Sequence, residues 1–550
     1  MLPERLSLVS LAVLVPFLSV SQGACSRNTT TTNSSLSVVN LGYECNQAIN
    51  LNETGGYYNF SNIRYGESPA GSLRFRAPIE PSSRNECIVT NGSEGRVCPQ
   101  SSGNWSIIAR EFAQSYLAGL PFNYDLAMSS LPDSPAAVSA DGRTTEDCLF
   151  LDVIAPRSAF AQNASGLPVL IWVYGGGYSS GEKTGNGKFN PAGLLAASGS
   201  DPGFIFVAMN YRLGAFGWLG GGNVKADGTV NAALYDQRLA FQWVQNYIHL
   251  FGGDKNRVTV IGASAGAGSI MHHITGFGGI EEAPAFNQAI MFSPAFVPVP
   301  TDYVPTTSLQ DLMQMLNVSS LNELRTLPSE TFIRANALQI YSHAPYGSNM
   351  YGPSPDGSLV PALPGQLLAN GSFHKNISIM VSHNTLEGLT FTKPTIKTAE
   401  DYLDMLHQSL PTISNETLNF ISNTFDQFQR ALVTVQDVAI VCNTRYLANA
   451  MSDRAYGIQF AVPPGIHGQE TSYVFQNGLT SGVTKGVADS LQRYIVSFVM
   501  NSVPTDVDGS PLPLYGPVAR LTSLDASGST VVKDNTANAR CSWWQQGLYA

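Results

Sequence analysis

Ser264 is the residue of this chain best placed to act as a nucleophile. It stands at the centre of GASAG (262–266), which matches the pattern G-x-S-x-G. The apolar run RVTVIG (257–262) predicts a strand directly before it, and AGAGSIMHHITGF predicts a helix that begins at Ala265. A serine on such a tight turn exposes its hydroxyl, and glycines permit the strained backbone. The alternative is an ordinary glycine-rich turn, because so short a pattern also arises by chance.

A histidine must activate this serine, because a serine hydroxyl is a weak nucleophile at neutral pH. In α/β-hydrolases the order along the chain is serine, acid, histidine, which excludes His249. His467 in PPGIHGQE is the best candidate, because it follows the strand-like YGIQFAV on a loop. His407 falls in a helical pattern that favours an exposed surface histidine, and we expect His272 and His273 to be structural.

The acid should lie between the serine and the histidine, and two carboxylates fit. Glu387 in SHNTLEGLTF follows the predicted strand ISIMVS (377–382) and precedes a glycine, which suits a loop at a strand end. Asp356 in PSPDGSLVP is the rival, although PDG is above all a turn signal.

Backbone amides near the serine could stabilise an oxyanion. The strand VLIWVY (169–174) ends in three glycines, 175–177, whose N–H groups could act together with that of Ala265. The alternative is a plain tight turn. The sequence contains no Walker lysine after a glycine cluster and no HExxH, so we predict neither a metal nor a cofactor.

The elements around these residues alternate between strands and helices. FIFVAMN (204–210) and AIMF (289–292) are further apolar strands, whereas 234–248 and 486–500 have helical spacing. Continuous apolar strands between helices predict an α/β fold with a mainly parallel sheet covered on both faces. No clear boundary divides the chain, so we predict one large domain with insertions.

Composition excludes several classes of protein. Of 550 residues, 43% are hydrophobic and 13% charged, which argues against disorder. The net charge is −10 and no Lys/Arg run occurs, so nucleic acid is not an expected partner.

The first 24 residues predict a signal peptide and therefore a secreted protein. Arg5 precedes an apolar run from Leu6 to Val20, with cleavage expected near Gly23 or Ala24. The alternative is a membrane anchor, but a run of about 15 residues is short for a bilayer. The mature chain would be 25–550. Glycosylation is predicted at sequons that begin at Asn28, Asn33, Asn52, Asn59, Asn91, Asn104, Asn163, Asn317, Asn370, Asn376 and Asn415.

The seven cysteines agree with an oxidising compartment. They are widely spread and include no CxxC pair, so we expect a few disulfides and one odd thiol rather than a zinc site. Spacing alone does not determine the pairing of Cys25, Cys45, Cys87, Cys98, Cys148, Cys442 and Cys541.

Seven blocks in order resemble the type-B carboxylesterase/lipase family, which includes cholinesterases and fungal lipases. The resemblance runs over about residues 55–515 and rests on IRYGESPAGSLRFRAP, EDCLFLDV, WVYGGGYSSG, NYRLGAFGWL, FGGDKNRVTVIGASAGAGS, TLEGLTF and GIHGQETSYVF. It implies the α/β-hydrolase fold and hydrolysis of a carboxylic ester through an acyl-enzyme, with no cofactor.

The resemblance also implies roles for particular residues. The triad would be Ser264, Glu387 and His467, and the oxyanion hole Gly176, Gly177 and Ala265. It implies a disulfide between Cys98 and Cys148, and structural ion pairs of Arg74 with Glu146 and of Arg212 with Asp254.

Departures from the family narrow the substrate. Cholinesterases carry glutamate before the serine, where this chain has Ala263, and a tryptophan before the second cysteine of the first disulfide, where this chain has PAAVSADGRTT. We therefore expect neutral, apolar esters rather than choline esters. The serine that supports the acid in cholinesterases is expected to be replaced here by Ala295.

Two questions stay open from the sequence. The apolar loop 98–148 is either a mobile lid, as in related lipases, or a fixed wall of the substrate pocket, and the wall is favoured. The same triad could also serve acyl transfer or ester tailoring in a biosynthetic pathway. A non-catalytic adhesion-type relative is disfavoured, because such proteins usually lose the serine and add a membrane segment.

Overall fold

The computed structural model describes residues 36–549, except 83–88, 136–140, 162–165, 200–202, 282, 349, 412, 414–426 and 479–480. The predicted signal peptide lies outside the described residues. So do Cys25 and Cys87, and the sequon asparagines Asn28, Asn33, Asn163 and Asn415.

The described strands form one large and one small sheet. In chain order they are β1 (Val38–Asn40), β2 (Cys45–Gln47), β3 (Asn50–Asn52), β4 (Tyr57–Arg64), β5 (Val89–Thr90), β6 (Phe150–Pro156), β7 (Leu167–Val173), β8 (Ile205–Met209), β9 (Gly253–Ala263), β10 (Gln288–Phe292), β11 (Ser378–Asn384), β12 (Ala455–Phe460), β13 (Arg520–Asp525) and β14 (Gly528–Lys533). The large sheet has the order β14-β13-β12-β11-β10-β9-β7-β8-β6-β4-β3, and β1-β2-β5 make the small one.

Helices connect these strands and cover the large sheet. The α-helices are Trp105–Leu117, Tyr124–Ser129, Ala192–Ala197, Ala215–Trp218, Gly222–Asp227, Ala232–Tyr247, Ala265–Ile274, Tyr303–Met315, Leu321–Thr326, Ser329–His343, Pro364–Ala369, Ala399–Ser409, Gln427–Gln436, Cys442–Ala450, Glu470–Val474, Lys485–Asn501 and Ala539–Gln545. A π-helical turn, Asp437–Val441, joins two of them.

The centre of the large sheet is parallel and buried on both faces. Seven neighbouring strands pair in parallel; in their order across the sheet they are β8, β7, β9, β10, β11, β12 and β13. Every residue of β7, β8 and β10 is buried. Continuous apolar runs produce this arrangement, because a parallel sheet has helices on both sides. The predicted α/β class with a mainly parallel sheet is confirmed.

The antiparallel edges of the sheet are what sequence reasoning missed. β3, β4 and β6 pair antiparallel at one edge, and β13 with β14 at the other. The residues of β14 are largely exposed and do not alternate between apolar and polar, so this strand lacks the apolar pattern that predicted the central strands.

Disulfides connect segments that are distant in the sequence. Cys98 is bonded to Cys148, the pair that the family resemblance implied, and Cys442 is bonded to Cys541. Cys45 is also disulfide-bonded. The Cys98–Cys148 pair closes a loop with a sequence separation of 50, which stabilises the fold by about 4 kcal/mol in the chain-entropy model.

One of the two expected ion pairs is wrong. Arg74 binds Glu146 through Nε to Oε2 at 2.8 Å, as expected, and both are buried. Arg212 binds Asp236 at 2.7 Å instead of Asp254. The reason is topological. Arg212 follows the carboxyl end of β8, whereas Asp254 lies near the amino end of β9, and in a parallel sheet these two ends lie on opposite sides.

Candidate active site

Ser264 lies on the turn that connects β9 to the helix Ala265–Ile274. Ser264 has φ 55° and ψ −126°, a conformation that a residue with a side chain rarely adopts. Its amide donates to the carbonyl of Phe292 at 2.9 Å, and its carbonyl accepts from Gly268 at 2.9 Å and from Ala295 at 3.1 Å. The neighbouring strand and the following helix therefore hold the strained turn in place.

Glycines beside the serine allow backbones to approach closely. A Cβ atom added at Gly266 would lie 2.1 Å from the carbonyl oxygen of Val173. One added at Gly175 would lie 2.8 Å from Cβ of Ser264. The glycine loop after β7 therefore lies directly against the nucleophile turn, and larger residues at these two positions would separate them.

Three side chains from distant segments form a chain of hydrogen bonds. His467 Nε2 lies 2.8 Å from Ser264 Oγ, and His467 Nδ1 lies 2.6 Å from Glu387 Oε2. All three residues follow the carboxyl ends of parallel strands, namely β9, β11 and β12, which meet at one edge of the sheet. The structure thus brings together the three residues that the sequence selected as a triad.

The loops that carry the acid and the histidine are joined to each other. Leu386 and Ile466 form a parallel bridge, and the amide of Leu386 donates to the carbonyl of Gly465 at 2.7 Å. This places Glu387 and His467 in register, so the distance between carboxylate and imidazole is fixed by backbone as well as by side chains.

Electrostatics in this buried group favour an ion pair when the histidine is protonated. Burial alone would lower the pKa of His467, but the charge and the hydrogen bond of Glu387 outweigh burial and raise it, with a smaller contribution from Glu470 when that carboxylate is ionised. Burial would raise the pKa of Glu387, yet His467, Ser293 and the amide of Asn384 together lower it. Glu387 therefore stays ionised and attracts the proton that His467 would receive.

A serine does support Glu387, but it is Ser293 and not the residue at position 295, where we had expected an alanine in its place. Ser293 Oγ lies 2.6 Å from Glu387 Oε1, so the expectation that this serine is replaced was wrong. The two positions are two residues apart in MFSPAF. Ser293 directly follows β10, the strand next to β11, and that placement brings its hydroxyl to the acid loop.

Glu470 is a second buried carboxylate that sequence reasoning missed. It is 1% exposed, and its Oε1 lies 2.9 Å from Ser293 Oγ while its Oε2 accepts from Asn384 Nδ2 at 2.5 Å. Burial and the neighbouring charge of Glu387 raise the pKa of Glu470. Ser293 has one hydroxyl proton and two carboxylates within hydrogen-bond distance, so a proton on Glu470 would complete the network.

A cavity of about 510 Å³ opens beside Ser264. Ser264, His467 and the three proposed oxyanion residues Gly176, Gly177 and Ala265 all line it. Among the described lining residues none is Asp, Glu, Lys or Arg. The wall is mainly aliphatic and aromatic, so the cavity suits a neutral molecule.

The helix Trp105–Leu117 of loop 98–148 forms part of this wall. Trp105 Nε1 donates to the carbonyl of Ser348 at 2.7 Å, and the ring of Phe112 packs edge-on against Phe428 at 5.6 Å. The Trp105 ring also contacts Phe391, which packs on the His467 ring at 5.0 Å. These contacts favour a fixed wall over a mobile lid.

The rival candidates lie elsewhere. Asp356 accepts hydrogen bonds from the amides of Ser358 and Val360 at 2.7 and 2.9 Å, so it stabilises the turn that PDG predicted. His407 is exposed on its helix. His272 and His273 are buried, and desolvation lowers the pKa of each.

The sequon asparagines of the described chain differ in exposure. Asn59 and Asn104 are half-buried, whereas the exposed ones are Asn52, Asn91, Asn317, Asn370 and Asn376. Glycosylation of these residues stays a prediction. No helix of the described residues is both long and apolar enough to pass through a membrane.

Comparison with known proteins identifies the family and agrees with this fold. The profile of the Carboxylesterase family matches residues 46–544. The chain is 38% identical to the carboxylesterase patB of Penicillium expansum over 93% of this chain and 96% of that protein. It is 30% identical to a secreted lipase of Arthroderma benhamiae over 73% of this chain and 83% of that one.

A solved structure shows the same fold. The crystal structure of Aspergillus niger EstA superposes with a TM-score of 0.76 and 24% identity, covering 94% of this chain and 99% of that one. With the family profile spanning nearly all of the described residues and a full-length relative 38% identical, the chain belongs to the carboxylesterase family of carboxylic ester hydrolases, with the α/β-hydrolase fold.

Proposed function

We propose that this protein is a secreted enzyme that cleaves neutral esters through an acyl-enzyme on Ser264, with residues 25–550 as one α/β-hydrolase domain. The observation that carries the proposal is the continuous hydrogen-bonded chain from Ser264 through His467 to Glu387 beside an uncharged cavity. A non-catalytic relative would have no need to keep such a hydrogen-bonded chain of side chains intact.

In the first step, Ser264 Oγ attacks the ester carbonyl while His467 Nε2 takes the hydroxyl proton. The tetrahedral intermediate collapses when His467 gives that proton to the leaving alcohol, and the acyl group stays on the serine. Water then attacks the acyl-enzyme by the same proton route and releases the acid. Glu387 holds the imidazole in the tautomer that accepts at Nε2, and stabilises the imidazolium that forms.

The negative oxygen of the intermediate would be bound by backbone amides. Gly176, Gly177 and Ala265 line the cavity at Ser264, and Ala265 begins a helix whose N-terminus carries partial positive charge. These amides do not move when charge develops, so they stabilise the transition state more than the neutral ester.

Export is supported by the N-terminal signal-peptide pattern, by the sequons and disulfides, and by relatives that are named secreted lipases. Sequencing the N-terminus of the protein from the medium tests this, because cleavage near Ala24 removes the apolar run.

We expect a preference for neutral esters over their cationic isosteres. Acetylcholine and 3,3-dimethylbutyl acetate have the same shape, but the cation would lose hydration in a cavity without a carboxylate lining. We expect kcat/KM to be at least about tenfold higher for the neutral ester. Steady-state hydrolysis of both by one enzyme preparation measures this, and equal rates would contradict the neutral-ester proposal.

The pH profile should report the raised pKa of His467. Because a protonated imidazole cannot accept the serine proton, kcat/KM falls as the pH drops through this pKa, and we expect the midpoint above about 6.5.

If Glu470 holds a proton, Glu470→Gln preserves both charge and shape. The midpoint should then stay within about 0.3 pH units of the wild type, with kcat/KM within about threefold.

The opposite result would identify Glu470 as an anion. Removing a negative charge near His467 would lower the pKa of the imidazole and move the acidic limb to lower pH. Glu470→Ala serves as the comparison, because it removes the hydrogen bond to Asn384 as well as the carboxyl group.

A further inference from the structure

Two backbone amides of the glycine loop after β7 have no acceptor of their own. Gly176 and Gly177 line the cavity together with Ser264, and within the described residues neither amide donates a hydrogen bond. An amide left without an acceptor in a folded protein is uncommon, because the lost bond costs free energy. These two N–H groups are therefore available to a ligand of the cavity, and their direction decides what they bind.

The peptide group between Gly176 and Gly177 is held from its carbonyl side by Ser180. The carbonyl of Gly176 accepts from Ser180 Oγ at 2.9 Å, and from the amides of Ser180 and Ser179 at 3.0 and 3.3 Å. A Cβ atom added at Gly176 would lie 2.1 Å from the carbonyl oxygen of Ser180, so the two residues are in direct contact. The backbone bonds need no particular side chain, whereas the hydroxyl bond depends on the serine.

Holding this carbonyl also fixes the amide of Gly177, because both belong to one planar peptide group. The bond between the two glycines is trans, so the carbonyl and the N–H point in opposite directions. A rotation that turned the N–H of Gly177 would therefore break the bond to Ser180 Oγ. Such a restraint is useful at this position, since Gly176 and Gly177 have φ values of 125° and 61° and glycine turns more freely than other residues.

The same bond strengthens the amide as a donor. A peptide carbonyl that accepts a hydrogen bond becomes more polarised, and its own N–H then donates more strongly. Ser180 Oγ thus acts on Gly177 in two ways, by orientation and by polarisation, without contact between Ser180 and the atom that Gly177 binds.

We propose that Ser180 is a positioning residue of the oxyanion hole, whose hydroxyl holds the carbonyl of Gly176 and thereby directs the N–H of Gly177 to the negative oxygen of the tetrahedral intermediate. This inference rests on the proposed function, because it assumes that the intermediate forms on Ser264. The negative charge exists in the intermediate and not in the ester, so loss of the hydroxyl should lower kcat and leave KM nearly unchanged.

Ser179 provides a matched contrast in the same loop. Its side chain is buried, and its Oγ has no hydrogen-bond partner among the described residues. Ser179→Ala and Ser180→Ala each remove one hydroxyl and keep the backbone amide. Only Ser180→Ala removes a bond to the carbonyl of Gly176.

The first measurement is hydrolysis of p-nitrophenyl butyrate by the wild type and the two variants. We expect Ser180→Ala to lower kcat about five- to tenfold with KM within about twofold, the effect of one hydrogen bond. Ser179→Ala should leave both constants within about twofold of the wild type. Unfolding temperatures, measured in parallel, show whether either variant has lost stability.

The second measurement separates an effect on the oxyanion from an effect on the cavity. With 1,1,1-trifluorohexan-2-one, Ser264 Oγ bonds to the carbonyl carbon, His467 takes the serine proton and the ketone oxygen becomes negative. Hexan-2-one has the same chain length but binds without this addition. For Ser180→Ala we expect the inhibition constant of the trifluoroketone to rise by the factor by which kcat/KM falls, and that of hexan-2-one to stay within about twofold.

Two results would overturn the proposal. The first is a kcat/KM for Ser180→Ala within about twofold of the wild type. The second is equal weakening of both ketones, which would mean that Ser180 shapes the cavity or binds the substrate. If Ser180→Ala does not fold, Ser180→Cys keeps the size of the side chain with a weaker donor, and the same criteria apply to it. Failure of the proposed function is distinguishable, because hydrolysis would then not depend on Ser264 in any of these variants.

Discussion

Replacing Ser264 with alanine is expected to lower kcat/KM on p-nitrophenyl butyrate by about 10⁵-fold or more, equivalent to about 7 kcal/mol of transition-state stabilisation. The alanine has no oxygen to form the acyl-enzyme, and water in its place lacks the position beside His467 Nε2 that Ser264 Oγ holds at 2.8 Å. The residual rate would come from the oxyanion amides and the cavity. Initial rates in enzyme excess measure so large a loss.

Ser409→Ala is the matched control for this loss. Ser409 also lines the cavity but ends the helix Ala399–Ser409, away from the hydrogen-bonded chain, so we expect less than a threefold change. A fluorophosphonate should label the wild type once, at Ser264 by peptide mass mapping, and should not label Ser264→Ala. An alanine variant that keeps its thermal unfolding temperature and more than a tenth of the activity would eliminate Ser264 as the nucleophile.

Local pattern predicted the nucleophile turn because its physics is local. The apolar run, the glycines and the helix start are all within a few residues of Ser264, and the structure has the strand Gly253–Ala263 and the helix Ala265–Ile274. The loop candidates Glu387 and His467 followed from the rule that loops at the carboxyl ends of parallel strands meet. That rule concerns the end of the sheet at which loops meet and not their separation in the chain, so it applies to Glu387 and His467 although they are 80 residues apart.

The supporting residues could not be predicted in the same way. Glu470 lies three residues after His467, but its burial depends on Ser293 and Asn384, which are 177 and 86 residues away in the chain. The glutamate itself has no feature that indicates burial, and only its neighbours in the sequence do. The signal that could have found it is the helix Glu470–Val474, whose Tyr473 and Val474 are apolar and buried.

The wrong ion pair has a related cause. Two short helices, Ala215–Trp218 and Gly222–Asp227, separate Arg212 from Asp236 along the chain, and both residues are buried. A pairing of Arg212 with Asp254 would require the carboxyl end of β8 to lie beside the amino end of β9, which the parallel arrangement of the sheet excludes. The family resemblance therefore suggested the partners of the two arginines, and the topology of the sheet shows which pairing is possible.

Glu387→Gln is expected to lower kcat/KM by about 10³- to 10⁴-fold while the protein stays folded. A carboxylate accepts the proton of His467 Nδ1, and this leaves Nε2 free to accept from the serine. The amide of glutamine can donate to Nδ1 instead, which favours the tautomer with hydrogen on Nε2. That tautomer cannot act as the base, and the imidazolium also loses its counter-charge.

Asp356→Asn is the control, because Asp356 was the rival acid. It accepts from backbone amides in a turn, so its replacement should affect thermal stability more than activity, with kcat/KM within about threefold of the wild type. The assay is kcat/KM for p-nitrophenyl butyrate at pH 8, with unfolding temperatures measured in parallel. If Asp356→Asn lost more activity than Glu387→Gln, the assignment of the acid would be wrong.

The double variant with both Ser264→Ala and Glu387→Gln tests whether the residues act as a unit. Independent contributions would multiply, so the double variant would be about 10³- to 10⁴-fold slower than Ser264→Ala alone. In the proposed mechanism Glu387 acts only through His467, and His467 acts only on the proton of the serine. In the Ser264→Ala background, Glu387→Gln should therefore have no further effect on kcat/KM. We therefore expect the double variant to match Ser264→Ala within a few-fold, because both would retain only the oxyanion amides and the cavity.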